Sequence, residues 1–152
     1  MRFCQVSELM DWIDAYHQAL AEQYAILADE AVRERAALLL KYLSEHQRLL
    51  AESMSKYEMD AANSLLTTWS DQCPELDLPE SVTQLHSDLS GKGTEEIIKQ
   101  VIEFHDILID MYKTLAEKAP NSPVRDLFES LAEMERQEAM RTVRDAQRLE
   151  DY

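Results

Sequence analysis

Glycine and proline are scarce in this chain, with two of the first and four of the second in 152 residues. A fold of many short strands joined by tight turns needs both, so it is excluded. Alternating β-branched runs are also lacking, while the helix formers Ala, Leu, Glu, Met and Gln dominate. The expectation is all-α. Cysteine is limited to Cys4 and Cys73, far apart and in no CxxC pair, which excludes a cysteine ribbon holding an electron-transfer iron. They read as two reduced thiols of a cytoplasmic protein, with a single disulfide as the alternative. No apolar run approaches the length that spans a bilayer, and the N-terminus lacks the hydrophobic stretch of a signal peptide. Basic residues are outnumbered, fifteen against thirty acidic ones, for a formal charge of -15. Such a surface repels phosphate backbones and anionic headgroups, so neither nucleic acid nor membrane is expected as a partner, whereas cations are drawn in. Nothing identifies a small-molecule substrate.

What is present is helical periodicity in a chain of single-domain length. Four segments carry apolar residues at the 3.6-residue period. The first, Val6 to Ala31, places Leu9, Ile13, Leu20, Tyr24, Leu27 and Ala28 on one face. The second runs from Arg33 to Met59, with an extension toward Trp69, and aligns Ala36, Leu40, Leu43, Leu50 and Met54. The third, Glu95 to Ala119, aligns Ile98, Val101, Leu108, Tyr112, Leu115 and Ala116. The fourth, Pro123 to Glu150, aligns Phe128, Leu131, Ala139, Val143 and Ala146. Leu38, Tyr42 and Leu49 form a second stripe outside the second helix, suited either to lying under a connecting segment or to a homodimer contact.

Boundaries follow capping chemistry. Thr94 is placed to cap the third helix, with Glu95 and Glu96 against its positive end. Ser122 and Pro123 form a cap and first-turn pair for the fourth. Between the second and third helices, Cys73 to Gly93 holds Pro74, Pro79, Gly91 and Gly93, with room for a short helix over Ser81 to Leu89. The outer links are only a few residues. Short, long, short links imply two helical hairpins, about 6–70 and 94–150, joined by a crossover at about 71–93. An up-down-down-up bundle fits this pattern.

The chain repeats itself. Residues 15–51 laid without gaps over 103–139 share eleven identities in thirty-seven, where composition alone gives about two. His17 falls on His105, Leu20 on Leu108, Tyr24 on Tyr112, Leu43 on Leu131 and Arg48 on Arg136. Two related hairpins packed face to face would bring equivalent positions opposite one another.

The pattern Tyr-x-x-Leu-Ala-x-x-Ala, in both hairpins, resembles the ferritin-like superfamily, especially rubrerythrin-like domains. So do Ile102-Glu103-Phe104 and Leu127-Phe128-x-x-Leu131-Ala132-Glu133-x-Glu135. The resemblance covers nearly the whole chain outside the crossover. It implies an antiparallel four-helix bundle whose interior carries a Glu seven residues before each Tyr and a Glu-x-x-His on the second and fourth helices. That donor set suits two metal ions. This chain departs from it residue by residue. His17 and His105 stand at the two Glu positions, Gln47 and Leu50 at the first Glu-x-x-His, and Glu135 and Glu138 at the second.

At about 100° per residue, His17, His105, Gln47 and Glu135 lie within the apolar arcs of their helices, with Glu138 about 60° from the centre of its arc. His46 could substitute as a ligand, but it lies about 100° off the core centre and reads first as an ordinary helix-edge histidine. A buried isolated carboxylate costs several kcal/mol, so something must offset it. A metal such as Fe, Mn or Zn could take His105, Glu135 and Glu138 with His17 or Gln47. Protonated histidines could instead pair with the glutamates without metal, or one carboxyl could stay protonated and bond to the other; partial exposure would remove the problem. Tyr24 and Tyr112 are expected to hydrogen-bond into this cluster, and His86 to be solvated. Two functions follow: a metal-binding protein with one ion per chain at most, or a metal-free scaffold or partner-binding module. Gln47 and Leu50 argue against a full two-metal oxidoreductase, and no catalytic residue is assigned.

Overall fold

The computed structural model describes residues 2–73 and 77–150, the side chains of Arg2, Gln72 and Glu150 excepted. Pro74, read above as part of the crossover, lies outside the described residues. Four long helices carry the fold: α1 (Val6–Glu30), α2 (Glu34–Asp60), α6 (Thr94–Glu117) and α7 (Ser122–Glu150). Three short ones, α3 (Asn63–Leu66), α4 (Glu80–Thr83) and α5 (Leu85–Leu89), lie between α2 and α6. Among the described residues no helix is long and apolar enough to cross a membrane.

The periodic faces identified from sequence are the faces that pack. Leu9, Ile13, Leu20 and Tyr24 of α1, Leu40 and Leu43 of α2, Val101 and Leu108 of α6, and Phe128 and Leu131 of α7 are all buried in one core. Pairing directions follow from side-chain contacts. Ser44 donates to the Ala21 carbonyl and Ser55 to Asp14, a descending register that makes α1 and α2 antiparallel. Tyr42 meets Asp145 and His46 meets Glu138, so α2 and α7 are antiparallel as well. The brief link from Lys118 to Asn121 turns α6 back into α7. With α1 up, α2 and α6 both run down and α7 up.

Two helices that run the same way need a connection climbing the length of the fold, and α1 carries it. Gln23 Nε2 donates to the carbonyls of Val82 and Thr83 at 2.7 and 3.3 Å, and its Oε1 accepts from the His86 N–H at 2.8 Å. His86 Nε2 reaches Glu30 Oε2 at 2.6 Å, so this histidine is paired as well as half-exposed. The crossover therefore covers α1 and leaves Leu38 and Leu49 of α2 half exposed. Tyr42, the third residue of that stripe, turns to Asp145 of α7.

Several boundaries differ from expectation. The second helix ends at Asp60, beside the Met59 end expected, and the extension toward Trp69 is replaced by the short helix α3 and the strand Trp69–Cys73. Thr67 Oγ1 donates to the Asn63 carbonyl and Thr68 Oγ1 to that of Ser64. The helix α6 starts at Thr94 itself, with Gly93 as its N-cap. For α7 the cap is Asn121, whose Oδ1 accepts from the Val124 N–H at 3.0 Å, rather than Ser122.

Two strands also form where none was expected. β1 (Arg2–Gln5) pairs antiparallel with β2 (Trp69–Cys73), Cys4 opposite Ser70 and Gln5 opposite Trp69, with an irregularity between Arg2 and Cys4. Strands this short leave no readable alternation. Cys4 and Cys73, expected as free thiols, are instead disulfide-bonded, with Cα atoms 6.0 Å apart and both side chains buried. That spacing is ordinary for a disulfide. The cytoplasmic expectation rested on free thiols and loses that support. The bond closes a loop of sequence separation 69 across the first hairpin, which restricts the unfolded chain enough to stabilise the fold by roughly 4 kcal/mol. Denatured, unreduced protein should release no thiol to a colorimetric reagent, and reduction should lower the urea midpoint. Two thiols released without reductant would contradict the pairing.

Candidate functional site

Four of the five proposed ligand residues converge where the two hairpins meet. His17 of α1, Gln47 of α2, His105 of α6 and Glu135 of α7 are each at most 3% exposed. His17 Nδ1 lies 2.6 Å from Gln47 Oε1, and its Nε2 lies 3.0 Å from Glu135 Oε1. His105 Nδ1 lies 2.9 Å from Glu135 Oε2. The repeat explains the pattern: His17 with Gln47 and His105 with Glu135 are equivalent pairs, each thirty residues apart. The twins Tyr16 and Phe104 also meet, edge to face, at 6.3 Å.

The protonation state follows from the acceptors. His17 faces the amide oxygen of Gln47 and a carboxylate oxygen, and an imidazole donates from both nitrogens only when protonated. Burial opposes that charge, yet the hydrogen bond to Glu135, the negative charge of that carboxylate and the Gln47 contact together raise the His17 pKa above its usual 6.5. Burial likewise works against an ionised Glu135. Hydrogen bonds from His105 and His17, and their charges, overcome it and bring the Glu135 pKa down to about 2. An imidazolium and a carboxylate thus share the interior, with His105 as a second donor to the same carboxylate.

Tyr16, Tyr24 and Tyr112 surround this group. Burial above all, then the charge of Glu135, raises the pKa of Tyr16 and Tyr112; for Tyr24 burial is followed by the effect of Tyr16. All three stay neutral phenols. Their buried hydroxyls have no hydrogen-bond partner among the described residues, contrary to the expectation that Tyr24 and Tyr112 bond into the cluster. Tyr16 had not been singled out from sequence, although its place beside His17 on the core face was a usable signal.

Glu138 departs from the expected group. It is 15% exposed and turns toward His46, whose Nε2 lies 2.8 Å from Glu138 Oε2. Both atoms are buried and, close as they lie, neither has a hydrogen-bond partner among the described residues. The ring of His46 stacks on Tyr42 at 5.8 Å and 9°, and the Tyr42 hydroxyl donates to Asp145 Oδ2 at 2.8 Å. Burial lowers the His46 pKa despite Glu138, with His105 and Arg141 acting in the same direction as burial. The sequence reading of His46 as an ordinary edge histidine missed this contact between α2 and α7. His105 Nε2 is a third buried, unpartnered atom in this part of the core.

The residues that stand at the ligand positions of the resemblance do not fit two metal ions. Leu50 cannot ligate and Gln47 brings no charge. Both His17 nitrogens and both Glu135 oxygens are engaged with one another or with neighbours. Among the described residues, no three His, Cys, Asp or Glu side chains gather closely enough to hold a metal ion. A proton shared between Glu135 and Glu138 is also unsupported, since Glu138 faces His46. No family model, curated protein or solved structure matches the chain.

Removing Glu135 should leave the buried His17 charge uncompensated. Glu135→Ala should cost about 3–5 kcal/mol in urea unfolding, while replacing His17 by Leu and Glu135 by Met together should cost less than Glu135→Ala alone. A loss below about 1 kcal/mol for Glu135→Ala would contradict the network. The wild-type pH profile carries the same signature. Glu135, with its depressed pKa, contributes stability above the usual 4.5 that disappears as pH falls toward about 2. His17, with its raised pKa, contributes fully below 6.5 and loses that contribution as pH rises through its folded value. Both limbs should weaken in the double variant.

Proposed function

We propose that this chain is a ferritin-like helical module in which a hydrogen-bonded His–Glu–His network occupies the place of a two-metal cage. It serves as a scaffold or partner-binding protein rather than an oxidoreductase. One observation carries the reading: Glu135 receives His17 and His105 on its two oxygens, one from each hairpin, while Gln47 takes the remaining nitrogen of His17. Groups committed to one another in this way are not available as open ligands. The up-down-down-up helix directions and the crossover along α1 support the ferritin-like part of the proposal. In the scaffold, Leu38 and Leu49 would form the contact of a homodimer, since both stay half exposed on α2.

A second reading, one Fe, Mn or Zn ion per chain, has its own support. His105 Nε2, His46 Nε2 and Glu138 Oε2 are buried without hydrogen-bond partners. His105 also has its other nitrogen against Glu135, the arrangement by which a carboxylate orients a ligating imidazole. The three atoms would have to be drawn together to bind.

Elemental analysis after incubation with Fe(II), Mn(II) or Zn(II) and desalting separates the readings. The network reading expects no retained metal. A single equivalent, lost in both His46→Ala and Glu138→Ala, would replace it with the second reading. Two equivalents would contradict both.

A further inference from the structure

At one end of the helices, the turn between α1 and α2 meets the turn before α6 and encloses a cavity of about 160 Å³. Its floor is apolar, built from the buried side chains of Leu27, Ala36, Leu40 and Leu89. Its rim carries two cations, Arg33 and Lys92, and one acid, Glu30. Glu30 is engaged by His86 at 2.6 Å. Lys92 has only a loose, exposed contact with Glu96 at 3.7 Å. Arg33 is the exception among the arginines whose side chains are described, having neither a hydrogen bond nor an ion pair. The chain has thirty acidic residues, so a guanidinium left without a carboxylate is unexpected.

Gly93 leaves room for it. A Cβ on Gly93 would lie 2.9 Å from Arg33 Nη1, so the absence of a side chain lets the guanidinium rest across the turn before α6. The result is a small apolar recess with a free planar cation at its mouth. A guanidinium binds a carboxylate through two parallel N–H bonds, and an aliphatic tail of a few carbons suits the floor. The overall charge of -15 does not forbid this. At physiological salt the screening length is about 8 Å, so distant acids are damped and the rim cations decide.

We propose that this cavity binds a short-chain aliphatic carboxylate, with the carboxylate on Arg33 and Lys92 and the tail against Leu27, Ala36, Leu40 and Leu89. Its volume corresponds to about five water molecules, which favours a four-carbon acid over a fatty acyl chain. The site is separate from the His–Glu–His network and stands or falls independently of it.

Butyrate is the probe, titrated into isotope-labelled full-length protein at constant ionic strength and followed by amide NMR shifts. The expected result is saturable shifts confined to the turns around Ala31–Ala36 and Leu89–Gly93. Arg33→Gln, which removes an exposed side chain without partners, should weaken butyrate at least about tenfold. Butan-1-ol and butylammonium should give no saturable shift there, and acetate should bind more weakly. No saturation with butyrate would overturn the proposal. So would unchanged affinity in Arg33→Gln, or acetate and chloride acting as strongly as butyrate, which would indicate an ion atmosphere only.

Discussion

A single buried carboxylate organises the interior of this protein. Glu135 has no contact with solvent, and a lone charge so placed would cost several kcal/mol, comparable to a large part of a domain's stability. It is tolerable because imidazoles reach it from both hairpins, one from α1 and one from α6. The same geometry sets the placement of the hairpins. The contacts close only when α7 lies against both α1 and α6 at the height of His17 and His105, so a register slip would strand a buried charge. The repeat is broken where this matters. Gln47 stands opposite Glu135 in the internal alignment, so this network holds one carboxylate, faced by His17 and His105.

Around that centre, the chain is tied down along α1. β1 leads into the helix, β2 returns beside it and the disulfide joins the two strands. Gln23 and Glu30 then anchor the crossover farther up the same helix. The long connection therefore acts as a third layer on the first hairpin. The contact of His46 with Glu138 and that of Tyr42 with Asp145 join α2 to α7 outside the central network.

How much of this was readable in the residues depended on period and on chemistry. The helices and their inward faces were legible because Leu, Tyr and Phe recur at helical spacing over more than twenty residues in each segment. The convergence of His17, Gln47, His105 and Glu135 was legible through the repeat, which set equivalent positions face to face. Glu138 and His46 were not, because both stand off the centre of their arcs, and rotamers decide where such side chains turn. The strands and the disulfide escaped for a different reason. Four or five residues leave no alternating signature, and two isolated cysteines carry no spacing rule. The helix caps were off by a single residue, since Gly93, Thr94, Asn121 and Ser122 all have capping propensity.

The charge state of His17 tests this account most directly. Nitrogen NMR of its imidazole at neutral pH should find a proton on both ring nitrogens, with deprotonation only above the ordinary histidine range. A neutral ring at pH 7, or titration at or below that of a free histidine, would contradict the proposed interior.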